Sequence, residues 1–405
     1  MAFSDLARRL YYRAYRYYSR PRLQRISLDK LLLGGDCGIH GSKYARLIGD
    51  VKRTSTPIHQ WPHSTFLKLY REQGESLFAP EALRETAYFQ NALNAIEYVG
   101  NYFSARSEGD ICTIGRAFID RYNGSQGNGQ VQYGLNGHSA PGVPVRVVRV
   151  WKSDYYMTID GHHRLAIAYA KGESEIEVAV ERPAQMTAGQ ELLQEVLWQG
   201  GRSELYQPVN LPECASWPLV RKCSDRYEMM QNGLRELGIG SKSAYLDIGA
   251  SYGWFVREAT SDGYLATGVE RDPFAINVGI HLYGLEPDKL IRADCSRFLA
   301  TTQDQWDFTS CFSVLHHFAL GKGGVSAEEF LSLIDRVTKR VLFFDTGQAH
   351  EKWFRETLPQ WTPDYIESWL RRYSTFKHIK RLGVDTDNEG GFQENYGRTL
   401  FMAWR

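Results

Sequence analysis

A short stretch near the middle of the chain combines a carboxylate and two glycines in an order that suits a bound nucleoside. Tyr245 to Phe255 reads YLDIGASYGWF, so that Asp247, Gly249 and Gly253 lie between an apolar strand-like run and a helix-like run. Glycine lets a ligand approach the backbone closely, and a carboxylate can anchor either the turn or a cationic part of the ligand. The stretch therefore predicts a strand, a glycine turn and a helix, with a ligand at the carboxyl end of the strand.

Two further acids follow at the ends of the next two strand-like segments. Glu270 stands 21 residues after Gly249, and its two oxygens can accept hydrogen bonds from both hydroxyls of a ribose. Asp294 ends the third segment, where it can accept a hydrogen bond from an adenine amino group. The G-x-G-x-x-G spacing of dinucleotide-binding proteins is absent, and a doubly wound domain with a nicotinamide or with no ligand is the alternative.

This series of motifs resembles the class I methyltransferases that use S-adenosylmethionine (SAM), over roughly residues 219 to 405. The resemblance implies that the acidic glycine turn holds the methionine part of SAM, that one later acid binds its ribose and that the next contacts its adenine. The residues that would bind the cofactor are, in that order, Asp247, Gly249 and Gly253, then Glu270, then Asp294. The implied fold is α/β, with a doubly wound, Rossmann-like methyltransferase sheet.

Two adjacent histidines, His316 and His317, follow the fourth strand-like segment beside this predicted site. Methyl transfer is an in-line displacement, so the protein must align a nucleophilic oxygen or nitrogen and, for a hydroxyl, take its proton. An imidazole with an ordinary pKa of about 6.5 suits that task. We predict that one of the two histidines acts as the base or positions the acceptor. The alternative is a buried, hydrogen-bonded wall residue.

The same segment narrows the class of acceptor. Its string SVLHHF, at residues 313–318, is similar to methyltransferases of small molecules and glycans, including those that cap O-antigen chains. The Asn- or Asp-Pro-Pro-aromatic motif of DNA amino methyltransferases is absent, as is the Pro-Cys nucleophile of the cytosine C5 enzymes. A small-molecule, glycan or phosphorylated glycan acceptor is therefore expected, and an RNA- or DNA-directed enzyme is the alternative.

The N-terminal half contains a second candidate site, in the string DGHHR. Asp160, Gly161, His162, His163 and Arg164 lead into a predicted helix, whose free N–H groups and dipole favour a phosphate, while the arginine supplies a forked donor. The string resembles the nucleotide-binding motif of the ParB/sulfiredoxin fold, most of all its kinase-type branch. That resemblance implies binding of ATP or another nucleotide with Mg²⁺, by a kinase or a nucleotide sensor. A structural arginine with core-facing histidines is the alternative.

Several residues outside these motifs could also contact a substrate. Asp36 lies in a glycine turn, and His59 and His63 lie in a turn-rich segment. Capping or packing is the favoured interpretation of all three. Packing is also favoured for three tryptophans that could stack on sugar rings, namely Trp353, Trp361 and Trp369.

The elements that position these residues divide the chain into an N-terminal segment, two domains and a linker. From residue 219 to 405, helices alternate with short apolar strands, which predicts a parallel sheet with helices on both faces. Residues 26–182 read as a smaller α+β domain, and the Pro- and Gly-rich residues 183–218 as a linker. The predicted strands lie at 26–31, 145–151, 155–159, 176–180, 244–248, 266–270, 308–313 and 340–344. A helix is predicted at 81–99 and a glycine-rich loop at 124–142.

Residues 1–25 form the most biased segment, with seven arginines against one acid and several tyrosines. The spacing of Leu6, Leu10, Ala14 and Tyr17 predicts an amphipathic helix with one apolar stripe. Docking of this helix on the parent domain is favoured. Contact with an anionic membrane surface or a polyanion is the alternative.

The overall composition sets further bounds. Among 405 residues, 48 Lys and Arg balance 47 Asp and Glu, so no net field attracts nucleic acid or a membrane. The apolar runs fall far short of the roughly 18 residues that a membrane span needs. Arginines interrupt the apolar stretch of a secretory signal, and the six cysteines contain no CxxC pair that would suggest a zinc or redox site. A cytoplasmic protein with reduced thiols and no protein-held metal is expected, with attachment to the inner membrane face as the alternative.

Overall fold

The structure is a computed structural model that describes residues 21–124, 144–201, 203–387 and 397–405. These residues form two compact units. The first contains the described chain up to Glu191 together with Leu211–Ser216, and the second contains Leu192–Asn210 and Trp217–Arg405. The basic helix predicted at the N-terminus and the loop predicted at 124–142 fall almost entirely outside the described residues.

The first unit contains a five-stranded mixed sheet in the order β1-β5-β3-β4-β2. Its strands are β1 (Arg22–Ser27), β2 (Leu31–Leu32), β3 (Val145–Val150), β4 (Tyr156–Asp160) and β5 (Glu175–Gln185). Strand β3 runs antiparallel to β4 and parallel to β5. Alternate residues such as Val145 and Val147 bury one face of the sheet against Leu165 of the helix that follows β4.

Seven helices accompany this sheet in the described chain up to residue 201. They are α1 (Gly41–Ile48), α2 (Pro62–Gln73), α3 (Pro80–Arg84), α4 (Ala87–Val99), α5 (Glu108–Gly124), α6 (His162–Ala170) and α7 (Ala188–Gln199). Helices α2, α4 and α5 share a core in which the rings of Phe66 and Tyr88 stack with centroids 4.5 Å apart. The predicted α+β architecture is confirmed, and the ParB/sulfiredoxin resemblance stays a prediction.

Local differences from the predicted elements have clear causes. Residues 22–25 belong to a strand and not to a basic helix, because β1 pairs with β5 along its whole length. The predicted helix 81–99 is two helices, because the extended backbone of Thr86 interrupts it and the Thr86 Oγ1 caps the second helix by accepting from the N–H of Phe89. The predicted linker 183–218 contains the end of β5 and helix α7, and the boundary between the two units falls within α7.

The second unit contains a seven-stranded sheet in the order β11-β12-β10-β9-β6-β7-β8. Its strands are β6 (Ala244–Ile248), β7 (Leu265–Glu270), β8 (Leu290–Arg292), β9 (Trp306–Cys311), β10 (Thr338–Phe344), β11 (His378–Val384) and β12 (Thr399–Trp404). Its helices are α8 (Ser224–Glu236), α9 (Trp254–Ser261), α10 (Pro273–Val278), α11 (Cys295–Thr301), α12 (Leu315–Ala319), α13 (Ala327–Val337) and α14 (Pro363–Tyr373). No helix in the described part of the chain is long and apolar enough to cross a bilayer.

The winding of this sheet determines where a ligand can bind. The chain proceeds from β6 through β7 to β8 in one direction, and then returns to β9 and β10 on the other side of β6. These strands are parallel, and β12 runs antiparallel to its neighbours β10 and β11. The reversal between β6 and β9 leaves a crevice at the carboxyl ends of these two strands. The predicted doubly wound, Rossmann-like sheet is therefore confirmed.

Candidate functional site

The glycine turn after β6 has a backbone conformation that other residues rarely adopt. Gly249 has a φ of +80°, and a Cβ atom there would lie 2.4 Å from Cγ2 of Val314. Gly253 has a φ of +82°, and a Cβ atom there would lie 2.8 Å from Leu285 and 3.0 Å from Leu290. Gly249 therefore allows close packing at the strand end, whereas Gly253 allows helix α9 to begin against buried leucines.

A cavity of about 860 Å³ opens at this sheet edge, entirely within the second unit. Its volume lies within the range that holds small-molecule ligands and cofactors. Three of the five predicted cofactor residues line it, namely Gly249, Glu270 and Asp294. Further walls come from the segment around Ser313 to His317, from Lys322, and from an upstream segment that includes Val196 and Tyr206.

The carboxylate of Glu270 is held in place by backbone N–H groups on both sides. Its Oε2 accepts from Ser251 at 2.8 Å, and its Oε1 accepts from Arg271 at 2.7 Å and from Asp272 at 2.9 Å. A carboxylate has about four acceptor positions, so one remains for a ligand hydroxyl. Glu270 thus faces the cavity with a fixed orientation.

Asp294 caps helix α11 and also lines the cavity. Its Oδ1 accepts from the N–H groups of Ser296 and Arg297 and from the Ser296 hydroxyl, at 3.0, 3.2 and 2.6 Å. The hydroxyl bond and the two backbone bonds lower the pKa of this carboxyl below its ordinary value. Because all three bonds use Oδ1, the other oxygen can accept from a ligand donor.

Asp247 was also predicted to bind the cofactor, but it is not among the residues that line the cavity. Its side chain is buried, and its Oδ1 accepts from the Ser310 hydroxyl at 2.5 Å. The Ser310 hydroxyl is in turn 2.6 Å from that of Tyr245. Burial raises the pKa of Asp247 to about 7, and the neighbouring charge of Glu270 adds to the rise. The residue therefore links β6 to β9 through Ser310.

The two predicted catalytic histidines occupy different environments. His317 is exposed and lines the cavity. His316 is buried beside Phe354, and its Nδ1 accepts from the N–H of Gly347 at 3.3 Å. Burial and the nearby Arg398 hold the pKa of His316 well below its ordinary value. His316 thus matches the alternative of a buried wall residue, and the predicted role at the reacting atoms is left to His317.

The DGHHR string in the first unit joins β4 to α6 as predicted. Gly161 has a φ of +102°, and Arg164 lies over it and 3.6 Å from Asp160. The histidine rings turn to the interior, where Nε2 of His162 lies 2.9 Å from the carbonyl of Leu33. Nε2 of His163 lies 2.8 Å from the Tyr88 hydroxyl, and burial lowers the pKa of this histidine to about 3. The rings therefore have structural partners, so Asp160, Gly161 and Arg164 are left as the candidate residues of the phosphate/nucleotide site.

Asp36 and His63 are also buried, next to these histidines. Asp36 pairs with Arg53 at 3.1 Å, and Asn91 donates to the same carboxylate oxygen. Burial alone would raise the pKa of Asp36, yet His162 and Arg53 bring it below its ordinary value. His63 stacks on His162 with ring centroids 5.4 Å apart. Asp36 caps the N–H of Cys37 and forms a buried ion pair, and His63 packs among aromatic rings. Of the three tryptophans, only Trp353 is exposed.

Three residues at the edge of the sheet were missed by the sequence analysis. Ser313 lines the cavity with a φ of +60°, Asp345 directly follows β10, and Arg398 precedes β12. The Ser313 N–H donates to Asp345 at 2.6 Å, and Arg398 donates to the Ser313 hydroxyl at 2.9 Å. The position of Asp345 after an apolar strand was a usable signal, because carboxyl ends of parallel strands share one edge. Arg398 gave none.

No protein-family model and no curated protein matches this chain. Among solved structures, WbdD, described as a bifunctional kinase-methyltransferase, is 20% identical with a TM-score of 0.42, over 53% of this chain and 46% of WbdD. The match thus covers less than half the length of WbdD.

Two smaller proteins also resemble part of the chain. The SAM-bound magnesium protoporphyrin IX methyltransferase ChlM from Synechocystis PCC 6803 is 14% identical, with a TM-score of 0.33 over 45% of this chain and 78% of ChlM. The N-methyltransferase NodS from Bradyrhizobium japonicum WM9 is 14% identical, with a TM-score of 0.34 over 44% of this chain and 93% of NodS. The fold of the second unit follows from its own strand order, without use of these similar structures.

Proposed function

We propose that the second unit is a SAM-dependent methyltransferase. The observation that carries the proposal is the carboxylate of Glu270, fixed at the end of β7 and facing a cavity of about 860 Å³ at the sheet's switch point. The cavity suits a nucleoside cofactor because Glu270 and Asp294 line it with acceptor oxygens at neighbouring strand ends. Oε2 of Glu270 would accept from a ribose hydroxyl, and Oδ2 of Asp294 would accept from the adenine amino group.

SAM, when bound, supplies the methyl group, and the chain's own residues prepare the acceptor. The wall from Ser313 to His317 would align the acceptor's nucleophilic atom with the methyl carbon. His317 would take the proton of an acceptor hydroxyl, because its exposed ring lies on this wall.

The acceptor in this proposal is a small molecule, a glycan or a phosphorylated glycan. Arg271 and Lys322 are exposed and line the cavity together with His317. Side chains of this kind favour an anionic group such as a phosphate on the acceptor. An RNA- or DNA-directed enzyme is the second candidate, and it predicts polyanion binding that weakens steeply with salt. If the full chain is not retained on heparin at 0.15 M salt, that second candidate is wrong.

The proposal extends to the first unit, which would bind a nucleotide phosphate and act as a kinase or a sensor. Helix α6 starts after Gly161, and its first N–H groups with Arg164 suit a phosphate. A kinase needs ATP or another nucleotide with Mg²⁺. We expect acceptor-dependent ATP turnover that is lost in Arg164→Ala and retained in Arg149→Ala, which changes an arginine on β3. Turnover that persists in Arg164→Ala would contradict this phosphate site.

Titration calorimetry with S-adenosylhomocysteine (SAH) tests the methyltransferase proposal directly. The wild-type chain should bind SAH with one site per chain, and Glu270→Ala should abolish the heat of binding while the melting temperature shows a folded protein. Absence of binding to the folded wild-type chain would contradict the proposal. Binding that survives in Glu270→Ala would show that the ligand lies elsewhere.

A further inference from the structure

A network of buried charges lies behind one wall of the cavity in the second unit. It contains three arginines and four acids, and each is at most 7% exposed. Burying charges costs several kcal/mol per ion before pairing, and replacing such pairs by apolar residues is often neutral or stabilising. Stability alone is therefore a weak reason for this network. Its members are Arg221, Arg226, Arg398, Asp345, Glu351, Asp385 and Asp387.

The network reaches the cavity through Ser313. Asp345 Oδ1 accepts from the Ser313 N–H at 2.6 Å, and Arg398 Nη1 donates to the Ser313 hydroxyl at 2.9 Å. Ser313 and Asp345 follow the carboxyl ends of β9 and β10, which are parallel neighbours. Two buried charged groups thus hold both polar ends of one cavity residue.

Ser313 needs such support because its backbone is strained. Its φ of +60° lies in the left-handed region, where a residue other than glycine persists only if its surroundings over-determine it. This turn redirects the chain as it leaves β9. Val314 then lies against Gly249, and His317 lies on the cavity wall.

The two partners of Ser313 are themselves fixed from their far sides. Arg398 forms a forked pair with Glu351, with Nε–Oε1 and Nη2–Oε2 distances of 2.7 and 2.8 Å. Asp345 Oδ2 faces Nε of Arg226 at 2.9 Å. Arg226 also pairs with Asp385 and with Asp387.

We propose that Asp345 and Arg398 are positioning residues that hold Ser313 in its left-handed conformation and thereby fix the acceptor wall of the cavity. The wall is defined here as residues 313–317. The proposal rests on the methyltransferase function proposed above. Neither residue needs to touch the reacting atoms, because each acts through Ser313.

A double-mutant cycle between Asp345→Asn and Ser313→Gly tests this role. Asparagine has one acceptor oxygen, so it cannot serve Arg226 and the Ser313 N–H from its two sides. We expect Asp345→Asn to weaken SAH binding about tenfold, because the relaxed turn must return to its strained conformation before Val314 can pack against Gly249 beside the cofactor. Glycine adopts a φ of +60° freely. The double variant Asp345→Asn/Ser313→Gly should therefore bind SAH at least about threefold more tightly than Asp345→Asn alone. Repeating the cycle with Arg398→Lys tests the second partner, since lysine cannot keep the fork to Glu351.

Asp385→Asn is the matched control. It removes one negative charge from the same buried arginine, Arg226, but Asp385 does not contact Ser313. If Asp345 acted only through its charge, Ser313→Gly would change SAH binding by the same factor in the Asp345→Asn protein and in the Asp385→Asn protein. Equal coupling, or no recovery by Ser313→Gly, would overturn the proposal. If the wild-type chain does not bind SAH, the proposed function is wrong, and the same cycle in urea unfolding then decides whether Asp345 holds Ser313.

Discussion

Ser251 donates its backbone N–H to Oε2 of Glu270 across 2.8 Å, which joins the glycine turn after β6 to the end of β7. Glu270, which would bind the ribose, therefore also accepts a hydrogen bond from the glycine turn. That turn would hold the methionine part of the cofactor. Such a carboxylate is oriented before any ligand arrives, so binding costs little further ordering. Glu270 is consequently the residue at which a small change should have a large effect on binding.

We expect Glu270→Gln to weaken SAH binding by about 10- to 100-fold, or about 1.4 to 2.8 kcal/mol. The amide nitrogen must face backbone N–H groups on one side or the other, because both carboxylate oxygens accept from such groups. Calorimetry measures the loss. Glu286→Gln, which changes an exposed acid outside the cavity, should leave the affinity unchanged. Equal affinities of the two variants would contradict the assigned ribose contact.

Alanine at the two glycines should separate binding from stability. In Gly249→Ala the new methyl group overlaps Val314 on the cavity wall, so both SAH affinity and melting temperature should fall. In Gly253→Ala the overlap is with Leu285 and Leu290, so the melting temperature should fall by several degrees with the affinity largely kept. Calorimetry and thermal denaturation distinguish the two outcomes. A Gly253→Ala protein that is stable but does not bind SAH would show that Gly253 contacts the ligand.

The two histidines should have different effects on methyl transfer. His317→Ala should reduce the rate of transfer from labelled SAM by about 100-fold or more with SAH affinity kept, as expected for loss of a general base. His316→Ala should mainly reduce stability, because it removes a buried ring that packs on Phe354 and accepts from Gly347. The rate per folded molecule of the second variant should stay near that of the wild type. A larger loss of rate in His316→Ala would reverse these roles.

The buried Asp247 predicts a specific dependence of stability on pH. Burial raises its pKa to about 7, against about 3.9 in an unfolded chain. Between these values the folded state keeps a proton that the unfolded state has lost. The contribution to the free energy of unfolding is thus fully present below about pH 4 and declines as pH rises to about 7.

Asp247→Asn removes this titration. The free energy of unfolding of the variant, measured relative to the wild type by urea denaturation, should therefore rise between pH 4 and pH 7 and remain level above. Asp288→Asn, at an exposed position, should show a difference that does not change with pH. A constant difference for Asp247→Asn would mean that this carboxyl is ionised throughout.

The sequence predicted the second unit well because its signals are local. Strand β6 was predicted at its observed bounds, and β7, β9 and β10 within two residues, since each is a short run rich in apolar residues between helix-like segments. Strand β12 escaped prediction because its position between β10 and β11 depends on contacts far apart in the chain. In the first unit, the chain at 22–25 was predicted helical because arginine, leucine and glutamine suit a helix until β5 provides a pairing partner for a strand.

The candidate site was predicted in part for the same reason. Gly249, Glu270 and Asp294 lie at strand ends or one to two residues after them, and parallel strands bring such positions together. The sequence could not distinguish His316 from His317, because burial depends on the packing of Phe354 and the strand-end segment around Gly347. The left-handed backbone of Ser313 could not be predicted from sequence, because it depends on partners 32 and 85 residues away.

The cavity walls also bear on where the chain can be divided. Val196, Leu197, Gly200 and Tyr206 line the cavity, although they precede the first helix-strand pair of the second unit. A fragment that starts at residue 219, the boundary suggested by sequence, would retain every strand of the seven-stranded sheet and yet lack this side of its ligand cavity. A recombinant fragment that carries the seven-stranded sheet should therefore begin before helix α7, so that it keeps the residues that enclose its ligand.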